Sequence, residues 1–171
     1  KITAPTPICA DGLIIVASGR HPERPVFAIR PGALGDISLD PGVTSSPAVA
    51  WSLTKRGGYM PTPLAYQGRL CVLNNGGQLG CYDLQSGAEH YYERVPHRAH
   101  GFSASPVAAG GKIYLPGEDG LVFVLAAGDE MKLLSTHMVG EPLMATPAIA
   151  GGTLFLRGDK HLFAIGKKGA P

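Results

Sequence analysis

Residues 105–138, SPVAAGGKIYLPGEDGLVFVLAAGDEMKLLSTHM, divide into four short runs parted by turn residues. The runs are Ser105 to Ala109, Lys112 to Leu115, Leu121 to Ala126 and Met131 to Met138; Gly110-Gly111, Glu118-Asp119-Gly120 and Gly128-Asp129 separate them. Short apolar or alternating runs bounded by Gly and Asp clusters read as strands joined by tight turns. Each is too short to be stable alone, so the reading predicts one small sheet of four antiparallel strands, A to D.

The same phrase returns along the chain. A hydroxyl residue before proline opens each copy at Thr6-Pro7, Thr62-Pro63, Ser105-Pro106 and Thr146-Pro147, with the prolines 56, 43 and 41 residues apart. The second copy has its runs at Pro63 to Tyr66, Arg69 to Asn74, Gln78 to Leu84 and His90 to Val95. The first carries insertions at residues 19–25 and 31–47 before its outer strand, Ala48 to Leu53. The fourth has three runs, Pro147 to Ala150, Thr153 to Leu156 and His161 to Ile165. A period of about 40 to 50 residues built from short strands is the signature of propeller blades. The expected fold is all-β, a single β-propeller segment over residues 1–171 with about four blades, near 5–54, 61–96, 104–139 and 145–166. The fourth copy lacks an outer strand, and Lys1 to Ala4 are too few and too polar to supply one. The expectation is therefore the C-terminal half of a seven- or eight-bladed propeller with upstream blades missing, or a ring closed as a homodimer.

Composition narrows the function classes. The chain is 44% hydrophobic with 24 Gly and 15 Pro, which fits a turn-rich all-β domain. Its net charge of +2 gives no long-range attraction for nucleic acid. No run has the length of a transmembrane helix, and Lys1 to Pro5 do not read as a signal peptide. Three cysteines do not make a disulfide framework. If Gly76-Gly77 is a two-residue turn, Cys71 lies opposite Tyr82 and Val72 opposite Cys81, so the two sulfurs point to opposite faces. All three cysteines then read as buried small apolar residues.

Antiparallel alternation places the D-to-A connections and the B-to-C loops on one face. The former are residues 54–60, 96–102 and 140–144; the latter carry Arg20, His21 and Arg24, then Asn74-Asn75, Glu118-Asp119 and Arg157-Asp159-Lys160. Recognition residues are commonly placed on loops of a rigid scaffold, with Arg and aromatic side chains enriched at hot spots. The candidate ligand- or partner-binding residues are Arg56, Tyr59, His97, Arg98, His100, Phe102, Glu141 and Arg157, with Arg56 and Arg98 suited to an anionic group or acidic peptide. His97-x-x-His100 lacks a third ligand and reads as loop rather than metal site. No nucleophile elbow, Cys-His pair or phosphate-binding glycine loop occurs, so no catalytic residue is assigned.

The segment Cys81 to Tyr91 resembles the docking motif of the pyrroloquinoline-quinone-like (PQQ-like) β-propeller repeat family. Asp83 and Gly87 match it, Ser86 stands for its Thr, and Tyr91 stands for its Trp. Ser105-Pro106-Val107-Ala108 and Thr146-Pro147-Ala148-Ile149 are similar to the same repeat. Asp and Ser fix a tight turn, Gly takes positive φ and the aromatic packs between blades. Asp83, Ser86, Gly87 and Tyr91 are thus expected to dock blades, and Trp51 to fill a similar slot. The resemblance implies two functional classes: quinoprotein dehydrogenases that hold PQQ and calcium in the central channel, and non-catalytic binding scaffolds such as the lipoprotein of outer-membrane barrel assembly. The adjacent cysteines and Trp floor of the dehydrogenases are not matched here, since the single Trp lies in an outer strand. The expected function is a non-catalytic scaffold, without cofactor, binding a protein or small polar ligand on its loop face. The alternatives are a quinoprotein dehydrogenase fragment with PQQ and calcium, and an assembly module closing a ring by dimerisation. A bacterial origin and a periplasmic or extracellular location are implied by the resemblance alone.

Overall fold

The computed structural model describes residues 4–19, 22–96 and 101–166. Among them the only regular elements are fifteen β-strands in four antiparallel sheets. The first sheet holds β1 (Ile8–Ala10), β2 (Leu13–Ala17), β3 (Val26–Ile29) and β4 (Val49–Leu53). The second holds β5 (Leu64–Tyr66), β6 (Arg69–Leu73), β7 (Gln78–Asp83) and β8 (Glu89–Arg94). The third holds β9 (Val107–Ala109), β10 (Lys112–Pro116), β11 (Leu121–Ala126) and β12 (Lys132–Met138), and the fourth β13 (Ala148–Ala150), β14 (Thr153–Arg157) and β15 (Leu162–Ile165). Within each sheet the spatial order follows the sequence order, so every sheet is a propeller blade. The A-to-B hairpins turn on two residues, Asp11-Gly12, Gln67-Gly68, Gly110-Gly111 and Gly151-Gly152, all at positive φ, as that turn requires.

Strand alternation stacks the blades. In the second blade Leu70, Val72, Tyr82 and Leu84 face the first, meeting Ile15, Val26, Ala28 and Trp51. The intervening positions Cys71, Leu73, Leu79, Cys81 and Tyr91 face the third, meeting Ile113, Leu115, Phe123 and Leu125. A sheet buried on both faces has no polar side, which is why β6 and β11 read as nearly continuous apolar runs.

The inner strands are joined by a hydroxyl relay. The Thr6 amide donates to Thr62 Oγ1 at 3.0 Å, the Thr62 amide to Ser105 Oγ at 2.9 Å, and the Ser105 amide to Thr146 Oγ1 at 3.2 Å. The repeated hydroxyl before proline therefore links each blade to the next.

Two cysteine expectations are corrected. Cys71 pairs directly with Cys81, and Val72 with Gly80. The hairpin closes on the Asn74–Gln78 pair, with the Asn74 amide donating to the Gln78 carbonyl at 2.9 Å and Gly77 at φ 81°. Its loop thus has three residues rather than two, and the one-residue change brings both sulfurs to the same face. Cys9 is exposed, not buried. Its neighbours Ile8 and Ala10 pack toward the second blade, so alternation turns Cys9 to the opposite side of β1.

Candidate functional site

The D-to-A connections and B-to-C loops lie on one face and are stitched together. Between the first two blades, the Arg56 and Gly57 amides donate to the Arg24 carbonyl at 2.9 and 2.7 Å, and the Met60 amide donates to Asn75 Oδ1 at 3.1 Å. Between the second and third, the Phe102 amide donates to the Asn75 carbonyl and the Glu118 amide to the Gly101 carbonyl. Between the third and fourth, the Val139 amide donates to the Gly120 carbonyl, while Glu141 Oε2 accepts from the Lys160 and His161 amides. Each connection is held by the hairpins of both blades it joins. The face is therefore a braced surface, as preorganised recognition requires.

An open pocket of about 410 Å³ sits there between the first and second blades. Arg24 enters from the first blade's B-to-C loop and Tyr59 from the following connection; Asn74 and Gln78 flank the second blade's hairpin. Tyr92 and Arg94, two residues apart on β8, complete the lining. Arg94 Nη1 donates to the Gly76 carbonyl at 2.5 Å, and Asn74 Oδ1 accepts from the Gln78 amide at 3.0 Å. Two buried side-chain atoms of this lining, Arg24 Nε and Gln78 Oε1, have no hydrogen-bond partner among the described residues. One is a donor and the other an acceptor, and among the described residues no carboxylate lines the pocket. The arrangement matches a group carrying an anionic oxygen beside an N–H or O–H donor.

The residues expected from the sequence are distributed unevenly. Tyr59 lines the pocket. Arg56 is not among its lining residues; its guanidinium lies 4.2 Å above the Tyr92 ring and its Nε donates to Glu89 Oε2 at 2.9 Å. That hydrogen bond raises the Arg56 pKa above its ordinary value. His97, Arg98 and His100 lie outside the described residues. Phe102 requires correction, because its side chain is fully buried and its ring lies 5.9 Å from that of Phe123, in the core rather than on the loop face. Glu141 and Arg157 brace the fourth blade's hairpin. Glu141 is paired with His161, which holds its carboxyl down to about 2, and Arg157 Nη1 donates to the Gly158 carbonyl at 2.6 Å.

Gln78, Tyr92 and Arg94 were not singled out in the sequence, although the parity of β8 carries the signal. Tyr91 points into the core, so Tyr92 and Arg94 do not share its environment. On the docking side, Asp83 Oδ1 accepts from the Ser86 amide at 2.8 Å and the Ser86 hydroxyl at 2.6 Å, and the Ser86 hydroxyl lowers the Asp83 pKa. Trp51 Nε1 donates to the Leu84 carbonyl at 3.1 Å, and a Cβ at Gly87 would lie 2.7 Å from the Trp51 ring.

No family model and no curated protein matches the chain. Solved structures do share its fold. BamB from Moraxella catarrhalis aligns over 90% of this chain and 42% of its own, with 16% identity and a TM-score of 0.64. The quinohemoprotein alcohol dehydrogenase ADHIIG from Pseudomonas putida HK5 aligns over 90% of this chain and 28% of its own, at 14% identity and a TM-score of 0.63. The computationally designed Ika4 protein aligns over 97% of this chain and 92% of its own, at 11% identity and the same TM-score. The chain thus spans less than half the length of the two natural structures.

Proposed function

We propose that this chain is a non-catalytic β-propeller scaffold that binds an acidic segment of a partner protein at the loop-face pocket between its first two blades. The observation that carries this reading is the convergence of Arg24 and Arg94 in a pocket that, among the described residues, has no lining carboxylate and leaves Arg24 Nε and Gln78 Oε1 without a partner. A peptide offers both complements, a carboxylate for the guanidinium groups and a backbone N–H for the amide oxygen. Tyr59 and Tyr92 supply flat apolar walls. Likeness to BamB and to a quinohemoprotein dehydrogenase is compatible with a scaffold or an enzyme, and the built polar pocket favours the scaffold. The same reading places the protein in the periplasm or outside the cell, a location drawn from resemblance and checked by fractionating cells that express the tagged full-length protein.

The test is fluorescence anisotropy of the full chain with a labelled hexaglutamate peptide at low salt. Binding should weaken at least roughly tenfold in the Arg24→Ala/Arg94→Ala double variant, a loss above about 1.4 kcal/mol. An equal affinity in that variant, with its fold intact by circular dichroism, would overturn the assignment.

A further inference from the structure

The three seams between blades are filled unequally. Among the described residues the first seam buries ten hydrophobic side chains and the second eleven, but the third buries only Val122, Leu143 and Leu156. One repeat position contributes to the difference. Trp51, Tyr91 and Ser135 each lie on the D strand opposite the C-strand residue that precedes a register shift, namely Ala28, Cys81 and Val124. Trp51 and Tyr91 place large rings in the first and second seams. Ser135 offers only a hydroxymethyl group.

The third seam opens accordingly into a cleft of about 460 Å³. Tyr114, Val122, Val124, Leu154, Leu156 and Phe163 line it, and Ser135 and His137 sit at its D-strand side with Oγ and Nε2 2.9 Å apart. The volume falls within the range of small-molecule sites, and mostly apolar walls with a few polar groups, here the Ser135–His137 pair and Lys112, are the usual make-up of such a site.

We propose that this cleft binds a small planar aromatic molecule bearing an N–H or O–H donor, of the indole or phenol class. Its ring takes the place that the Trp51 and Tyr91 rings hold in the other seams, and its donor meets the Ser135–His137 pair. Ring burial against Val, Leu and Phe side chains supplies the attraction, and the polar pair selects an orientation. The site shares no residue with the loop-face pocket, so the two readings stand or fall separately.

The probe is indole, titrated into the full chain while the methyl resonances of Val122, Val124, Leu154 and Leu156 are followed by NMR. The expected result is a saturable shift confined to those methyls, unchanged in the Arg24→Ala/Arg94→Ala variant. Ser135→Trp should fill the cleft, weaken indole binding at least roughly tenfold and raise the melting temperature. Absence of saturation, shifts mapping elsewhere, or equal competition by hexanol would overturn the proposal. So would a dimer seen by light scattering that indole dissociates, since the occupant would then be a second copy. If Ser135→Trp fails to fold, the methyl map of the unmodified chain and the hexanol competition decide the matter.

Discussion

The backbone amide of Thr62 donates to the hydroxyl of Ser105 at 2.9 Å, across a boundary between blades and 43 residues of sequence. Ser105 in turn donates its own amide to Thr146 Oγ1. The Thr62, Ser105 and Thr146 hydroxyls thus each accept from the residue that opens the preceding blade's repeat. Ser105→Ala removes the acceptor and leaves the part-buried Thr62 amide without it, a cost of about 1 kcal/mol. Urea unfolding should show that loss, and Ser105→Thr should restore most of it. Equal stability of all three proteins would show that the relay contributes nothing.

Gly87 has φ +72°, and a Cβ there would lie 2.7 Å from the Trp51 indole. Gly110 has φ +58° with nothing within 4 Å of its would-be Cβ. Gly87→Ala therefore meets backbone strain and displaces the ring, whereas Gly110→Ala meets strain alone. The first should lose about 1–3 kcal/mol more than the second in thermal unfolding, with Trp fluorescence altered only in the first.

Cys71 and Cys81 face each other across β6 and β7, both nearly inaccessible to solvent. Backbone bonds at Asn74–Gln78 and Gly68–Leu84 place this pair at a non-hydrogen-bonded site, where Cα atoms stand about 4.5 Å apart, within the disulfide range. A hydrogen bond between the thiols raises the Cys71 pKa and lowers that of Cys81. In a Cys9→Ser background, prolonged incubation of the folded protein with oxidised glutathione, without denaturant, should close the pair. Cys81 thiolate attacks glutathione disulfide, releasing one glutathione thiolate, and Cys71 then displaces the second. Mass spectrometry should find a loss of two hydrogens, and thiol titration the loss of both thiols together. Persistence of both thiols, or stable glutathione adducts, would contradict this register.

The Glu141 carboxyl is held from 4.5 down to about 2 by its hydrogen bond with His161, aided by the Lys160 amide. Because the folded value is depressed, the stabilisation is complete above about pH 4.5 and is lost as pH falls toward 2. The melting temperature of the protein should decline across that window, and Glu141→Gln should decline less. Parallel profiles would show that the contact does not couple to folding.

The blade period, the strands and the A-to-B turns were legible in the sequence because their causes are local. Alternation, β-rich runs and turn glycines act within a few residues, and the observed strands lie within about two residues of the expected ones. Register was not legible at the Asn74–Gln78 hairpin, because Gly76-Gly77 fits either loop length and only the closing hydrogen bonds choose between them. Nor was the fate of Phe102, which looks like a loop aromatic until the third blade brings Phe123 beside it. Arg24 and Arg94 are 70 residues apart, and only the packing of the first two blades makes them one pocket. Local sequence determined what each blade is; the side chains that meet between blades, and the space left where Ser135 replaces an aromatic, were decided by tertiary packing because contacts between distant segments depend on register and stacking.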